Sequence, residues 1–441
     1  MTHGTRPHDR RVSVSGLARV EGEGGLHVHV RDGTVTDVAL DIFEPPRFFE
    51  SLLRGRRFDE APDITARICG ICPVAYQMSA CGAMEDVCRV EVPERVGALR
   101  RLLYCGEWIQ SHALHITLLH APDFLGVADA VAMAETDPEA LRRGLRLRRM
   151  GNRIMEVVGG RAVHPVNVRV GGFHRAPDPA DIASLAEPLR RALDDAMDTL
   201  AWVSAFDVPD VHAPYRFVAL AAPDRYPIEA GRVVSSDGLD LEPAEFAARV
   251  SQEQVAHSTA LHARLDGRPY LTGPLARYAL AHDRLVGPAA DAARSAGLGP
   301  VVTNPFRSIV VRAVELVYAC DEALRLVTAY QPPDPPAVDV VPRAGVGVGV
   351  TEAPRGLLLH RYVLDAAGRI AAPCKLPRHR RDTQHELIMP RFVWVKYQLH
   401  RRNRLTWREP HALAGQYRAA AAIGVLPIQM QPNRQGLRCA A

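Results

Sequence analysis

Long apolar runs are what this sequence lacks first. Across its 441 residues Arg, Asp, Glu or His recurs every few positions, so no stretch approaches the roughly 18 uninterrupted apolar residues that cross a membrane. Cysteine is nearly as scarce. Eight residues cannot build a disulfide framework, and only Cys69 and Cys72 are closely spaced, which predicts reduced thiols with one ligand pair. The Arg10-Arg11 pair near the start is followed by neither an apolar h-region nor a small-residue cleavage site, so the expected compartment is the cytoplasm. No internal repeat is present. What is there is ordinary globular composition, 47% hydrophobic and 24% charged, in a chain long enough for one large core or two cores sharing an interface.

Acidic residues are missing from one end. Residues 374–441 hold 13 Lys and Arg against only Asp382, Glu386 and Glu409, a local net of +10, whereas the first 373 residues carry a net of −6. Glutamine rises across the same boundary, with six in the last 68 residues against five before it, and apolar periodicity fades after Leu376. Such a segment reads as a solvated basic arm or an anionic-surface contact. It contains no nucleic-acid-binding motif, and it keeps Phe392, Trp394, Tyr397 and Trp407, which a solvated arm does not need. The expected organisation is a body over 1–373 and an atypical basic tail over 374–441.

Within the body, GLHVHV and TVTDVALDIF alternate with period two around Asp32-Gly33, which predicts a hairpin. After Pro93, helical spacing places Val96, Leu99, Leu103, Leu114 and Leu118 on one helix. Further helices are expected over 138–158, stopped by Gly159-Gly160, over 180–205, over 243–265, and over 305–330, stopped by the PPDPP run. Residues 216–238 and 356–372 read as short strand pairs. The predicted fold class is α+β, a large helical-bundle core with small peripheral antiparallel sheets and no βαβ alternation.

Arg67-Ile68-Cys69-Gly70-Ile71-Cys72 is the sharpest chemical feature. Two thiols three residues apart, with a Gly between them, can point both sulfurs at one soft metal or at each other, and the preceding Arg67 is expected to favour the thiolate. By itself the pair supports half a zinc site, a redox dithiol or a metal-cluster ligand pair. Cys81 and Cys88 follow two helical turns apart and read as buried, inert thiols. The run Gly345, Gly347, Gly349 before Thr351-Glu352-Ala353-Pro354-Arg355-Gly356 is not a dinucleotide fingerprint, because Pro354 interrupts the helix that should follow. It leaves Arg355 braced between Pro354 and Gly356, as suits a guanidinium held at a fixed spot. Glu21, between turn residues, reads as solvated, and His112, His115 and His120 as hydrogen-bonded core histidines.

Taken in order, ARVEGEG (18–24), EPPRFFESLLRGR (44–56), ARICGICPVAYQMSA (66–80), HPVNVRVGGF (164–173), NPFRSIVVRAVELVYACDEALRL (304–326) and TEAPRGLLLHRY (351–362) resemble the large subunit of nickel-iron hydrogenases, from about residue 11 to 373. Within that family the chain is most similar to the alpha subunit of the cytoplasmic, NAD(P)-linked bidirectional branch, also called sulfhydrogenase, in which Tyr76 stands where other branches have His. The resemblance implies that Cys69 is a terminal ligand of nickel and that Cys72 bridges nickel to an iron carrying carbon monoxide and cyanide. It implies that Arg355 hangs over the open coordination position and that Glu21 relays protons. It also places Glu50 on a second, magnesium-type site. The implied partners are diaphorase-type subunits carrying flavin, iron-sulfur clusters and NAD(P), reached through an iron-sulfur small subunit; H2 is the implied substrate.

The family also ends in a D-P-C-x2-C-x2-H pattern, which this sequence lacks; its late cysteines, Cys374 and Cys439, stand 65 apart. A coding frame slipped near codon 373 accounts for the change in composition there, as does a diverged tail, and the slip is the expectation. Three functions follow. One is a catalytic hydrogenase subunit, favoured by Glu21, Cys69, Cys72 and Arg355 together. Another is a catalytically inactive, hydrogenase-like assembly subunit without a complete nickel-iron site, favoured by the missing second pair. The third is zinc or iron-sulfur binding through Cys69, Cys72, Cys81 and Cys88.

Overall fold

Period-two alternation builds the first sheet. In the computed structural model β1 (Asp9–Val14), β2 (Gly24–Arg31) and β3 (Thr34–Ile42) pair antiparallel in that order, with Leu26, Val28 and Val30 buried on the central strand. Asp32, at φ 50°, makes the expected turn; a short polar side chain tolerates that left-handed conformation. The described residues are 9–17, 24–32, 34–43 and 49–371, so Glu21 and the tail over 374–441 lie outside them.

The helical core begins with α1 (Phe49–Leu53), α2 (Ala61–Ala66), α3 (Pro73–Cys88) and α4 (Glu94–Leu114). α4 continues through a π-helical turn over His115–His120 into the short helix Ala121–Leu125. Pro122 lacks the N–H that would bond four residues back, which accounts for the widened turn before it. The helix Pro138–Gly159 is capped by the Asp137 carboxylate, which accepts from the Ala140 N–H, and ends on Gly160 at φ 85°. It crosses α4 backbone to backbone: a Cβ on Gly151 would stand 2.4 Å from the Gly106 oxygen. Helix Ser308–Thr328 packs on both α4 and helix Ala186–Ser204, completing a bundle with a continuous apolar interior.

Among the described residues every strand pair is antiparallel, in five sheets of two or three strands, as the α+β reading expects. The longest pair, Gly345–Ala353 with Gly356–Leu364, lies against α3. Here the alternating glycines find their purpose. A Cβ on Gly347 or Gly349 would stand 2.0 Å or 2.2 Å from the carbonyl oxygens of Ala83 and Ser79, so the run lets a strand touch a helix backbone.

Two expectations are corrected. The helix expected over 243–265 is a helix only through Pro243–Arg249; Val250–Val255 and Ser258–Leu265 form an antiparallel hairpin. Its Ala-containing sequence favours helix locally, but the second strand packs beside β3, where the Thr259 hydroxyl donates to the Ile42 carbonyl at 2.8 Å, and tertiary contact overrides propensity. Residues 356–372 do turn at Asp365 to Gly368, yet the principal partner of strand Gly356–Leu364 is the glycine-rich strand before it. Among the described residues no single helix is long and apolar enough to cross a membrane.

Candidate metal centre

Cys69 and Cys72 sit on the loop joining α2 to α3, both buried, their sulfurs 2.7 Å apart and unlinked by a disulfide. The Cys72 N–H donates to the Cys69 sulfur at 3.3 Å, folding the loop so that both thiols face the same way. α4 fixes this loop from below. Glu107, wholly buried, accepts the N–H groups of Val74 and Ala75 at 2.6 and 3.2 Å, so a carboxyl group, its pKa pushed well up by burial despite these bonds, caps the start of α3 one residue beyond Cys72. One turn along, the Gln110 amide donates to the Ile71 carbonyl at 2.5 Å, and the His164 ring meets the Ala66 carbonyl at 2.8 Å.

The cation over the thiols comes from far along the chain. Arg355, at the two-residue turn between the paired strands, donates from Nη2 to the sulfurs of Cys72 at 3.3 Å and Cys69 at 3.7 Å. Arg67, expected to serve the thiols, instead pairs with Asp63 at the surface, 3.1 Å away. Its side chain leaves α2 on the solvent face, which the sequence position alone did not reveal.

Comparison with known proteins bears directly on this arrangement. The profile of the nickel-dependent hydrogenases matches residues 47–145, which include both thiols. The alpha subunit of sulfhydrogenase 1 from Pyrococcus furiosus is 32% identical over 364 residues, covering 82% of this chain and 85% of that protein. The chain belongs to the nickel-dependent hydrogenases, as a large subunit. A second relative, from the vhu F420-non-reducing hydrogenase of Methanocaldococcus jannaschii, is 30% identical over 81% of this chain and 92% of its own length. Among solved structures, an NAD+-reducing nickel-iron hydrogenase superposes with a TM-score of 0.73 at 25% identity, covering 94% of this chain and 97% of that one.

Membership makes this hydrogenase chain an oxidoreductase and implies a nickel-iron centre. The donors present fit such a group in kind: two buried, soft sulfurs with a fixed cation beside them. In number they are one of the two cysteine pairs that the family resemblance implies. Among the described residues no group of three or more His, Cys, Asp or Glu side chains is arranged to hold a metal ion, so Cys81 and Cys88 do not complete a site with the pair. Both lie buried on α3, and burial pushes the Cys81 thiol up to about 12, leaving it inert. Glu50 occupies the first turn of α1, half-buried. His112 is buried, as the core-histidine reading expects, lies 3.1 Å from Glu315 and, pushed down to about 4 mainly by burial, stays neutral. His115 departs from it, with both ring nitrogens buried and without a hydrogen bond among the described residues, its ring edge-on to His120 at 5.1 Å.

Glu107 and Gln110 were not singled out in the sequence. Polar residues three apart in an apolar helical stretch are their one legible signal. Arg277 and Glu315 were not singled out either; with Glu352, named only as part of the 351–356 run, they form a buried ion cluster behind the Arg355 turn. Burial pushes Glu315 up, but the charge and hydrogen bonds of Arg277 outweigh it and hold the carboxyl down at about 2. Glu352 is pushed up to about 7, burial prevailing over Arg277.

A carboxyl whose folded value lies above its ordinary 4.5 contributes stability that is full below pH 4.5 and lost as pH rises toward 7. Glu315 and His112 act oppositely, losing stability toward low pH. The variant Glu352→Gln is therefore expected to gain melting temperature over the parent progressively between about pH 5 and pH 7.5. Melting curves that stay parallel across that range would show that Glu352 does not titrate there.

Proposed function

We propose that this chain is the catalytic large subunit of a cytoplasmic nickel-iron hydrogenase that interconverts H2 with protons and electrons and exchanges those electrons with an NAD(P)-linked partner. The observation that carries this is the buried thiol pair lying under the Arg355 guanidinium, 3.3 Å from the Cys72 sulfur. The NAD(P) linkage draws support from the NAD+-reducing hydrogenase to which the fold is similar. Cys69 and Cys72 would both hold the nickel-iron centre as thiolates, with carbon monoxide and cyanide as further ligands on its iron. When bound, that centre supplies the redox chemistry.

The remaining work falls to the chain. Arg355 keeps a fixed positive charge in a site from which water is excluded, where it favours charge developing as hydrogen is split. Glu107 and Gln110 hold the loop that aims both sulfurs. Glu21 accepts the proton and passes it outward, and Glu50 belongs to a magnesium site. Electrons leave through an iron-sulfur small subunit to diaphorase-type subunits with flavin and NAD(P). The unit that does this is the body over 1–373.

A second reading, a catalytically inactive assembly subunit, is favoured by the missing D-P-C-x2-C-x2-H pattern. With the tail as it stands, less than one nickel and one iron per chain is expected on elemental analysis; finding both at unit stoichiometry would show that no second cysteine pair is needed. Resequencing across codons 360–441 separates the readings. A corrected frame that restores a late cysteine pair and His supports the enzyme, and an unaltered frame supports the inactive subunit.

A further inference from the structure

The Arg355 turn is held by a second arginine that never approaches the thiols. Arg277, on the helix Pro274–Ala281, is completely buried. Its Nη1 donates to the carbonyl of Ala353 at 2.9 Å and its Nη2 to the carbonyl of Pro354 at 2.9 Å, the two peptide oxygens immediately before Arg355. The same guanidinium is locked on its other edges. It binds Glu315 through Nε and Nη2 at 2.8 Å each, and Glu352 through Nη1 at 2.9 Å. Its flat face lies 4.5 Å from the ring centroid of Trp108.

Each of these partners is itself tied down. Glu315 accepts the Tyr226 hydroxyl at 2.8 Å, Glu352 accepts the Leu220 N–H at 2.8 Å, and the Trp108 indole N–H donates to the Glu352 carbonyl at 3.1 Å. Arg312 reaches the Pro354 oxygen as well, at 3.4 Å. Gly356 closes the turn at φ 148°, and a Cβ there would stand 2.7 Å from the Thr272 hydroxyl, so the turn rests directly on the chain leading into the Arg277 helix. A planar five-donor group is suited to this work, since it grips two carboxylates and two carbonyls at once where an ammonium does not.

We propose that Arg277 is a positioning residue for the hydrogenase site, fixing the Ala353 and Pro354 carbonyls so that the next residue, Arg355, holds its guanidinium over the Cys69 and Cys72 sulfurs. This rests on the functional reading of Arg355 given above. A buried ion cluster of this density needs no such role to exist, but its carbonyl contacts are spent on the two residues that aim Arg355. Loss of that aim shifts a catalytic group by about an ångström, which costs on the order of 10²-fold in rate.

The test uses Arg277→Lys, which keeps the charge and loses the fork. In a crystal structure of the full chain carrying it, the Arg355 to Cys72 contact is expected to break, lengthening past 4 Å, with α3 and its loop unmoved; an unchanged contact would overturn the proposal. This readout requires no activity, so it stands even if the chain proves to be the inactive subunit. In the assembled enzyme, Arg277→Lys is expected to slow turnover about 10²-fold and the double variant Arg277→Lys/Arg355→Met to be no slower than Arg355→Met alone. Multiplying effects would mean that Arg277 acts on stability and not through Arg355. Should Arg277→Lys fail to fold, Glu352→Gln, which frees one edge of the same guanidinium, carries both measurements, with a smaller rate loss and the same lack of additivity.

Discussion

Arg355→Met is expected to lower hydrogen turnover of the assembled enzyme by roughly 10²–10³-fold, the size of effect seen when one fixed electrostatic group is removed from a dry site. The reason lies in its placement. Arg355 is buried, its Nη2 touches both sulfurs, and its backbone sits in a two-residue turn clamped from behind. Met is close to Arg in size and lacks the charge; removing one member of a buried charge pair is costly where the partner is left uncompensated, but in the loaded enzyme the thiolate charge is met by the metal ions the thiolates hold. Nickel and iron content and melting temperature should therefore hold while turnover falls. Turnover assays beside elemental analysis decide it. Unchanged turnover would remove Arg355 from the chemistry, and parallel loss of metal would make it a scaffold for the thiols.

The largest effect on folding is expected from Gly349→Ala, a single added methyl. Its Cβ would stand 2.2 Å from the Ser79 oxygen and 2.7 Å from the Ala83 nitrogen, both backbone atoms of α3. Neither can swing aside as a side chain would, so the strand and helix must separate, at about 3 kcal/mol or more. α3 starts at Pro73, directly after Cys72, so the displacement reaches the thiol loop. Gly97→Ala is the control. No atom lies within 4 Å of its added Cβ, and on α4 the change should be neutral or stabilising by about 1 kcal/mol. Chemical denaturation of both variants checks the pair; equal stabilities would mean that the glycine run is not a packing device.

Much of the scaffold was legible. Helix Pro138–Gly159 is bounded by an Asp cap and a Gly stop, and β2 and β3 by alternation and a turn, all signals that act within a few residues. The thiol pair was legible for the same reason, as two cysteines three residues apart. The hairpin over 250–265 was not, because its strand character is supplied by β3, more than two hundred residues earlier. Nor were Glu107, Gln110 and Arg277, since a polar side chain in an apolar helix shows only that a buried partner must exist and not which one it is.

Arg67 and Arg355 draw the line most clearly. By itself the sequence determined that two thiols would lie close together, that an arginine would be braced between Pro354 and Gly356, and that glycines would repeat every second residue before it. Only the tertiary structure decided that the near arginine faces solvent and Asp63 while the far one covers the sulfurs, and that the glycines lay a strand on α3. Caps, turns and periodicity are local free energies, read from neighbours in the chain. The direction of a long side chain and the partner of a buried charge depend on surfaces that exist only once distant segments have packed.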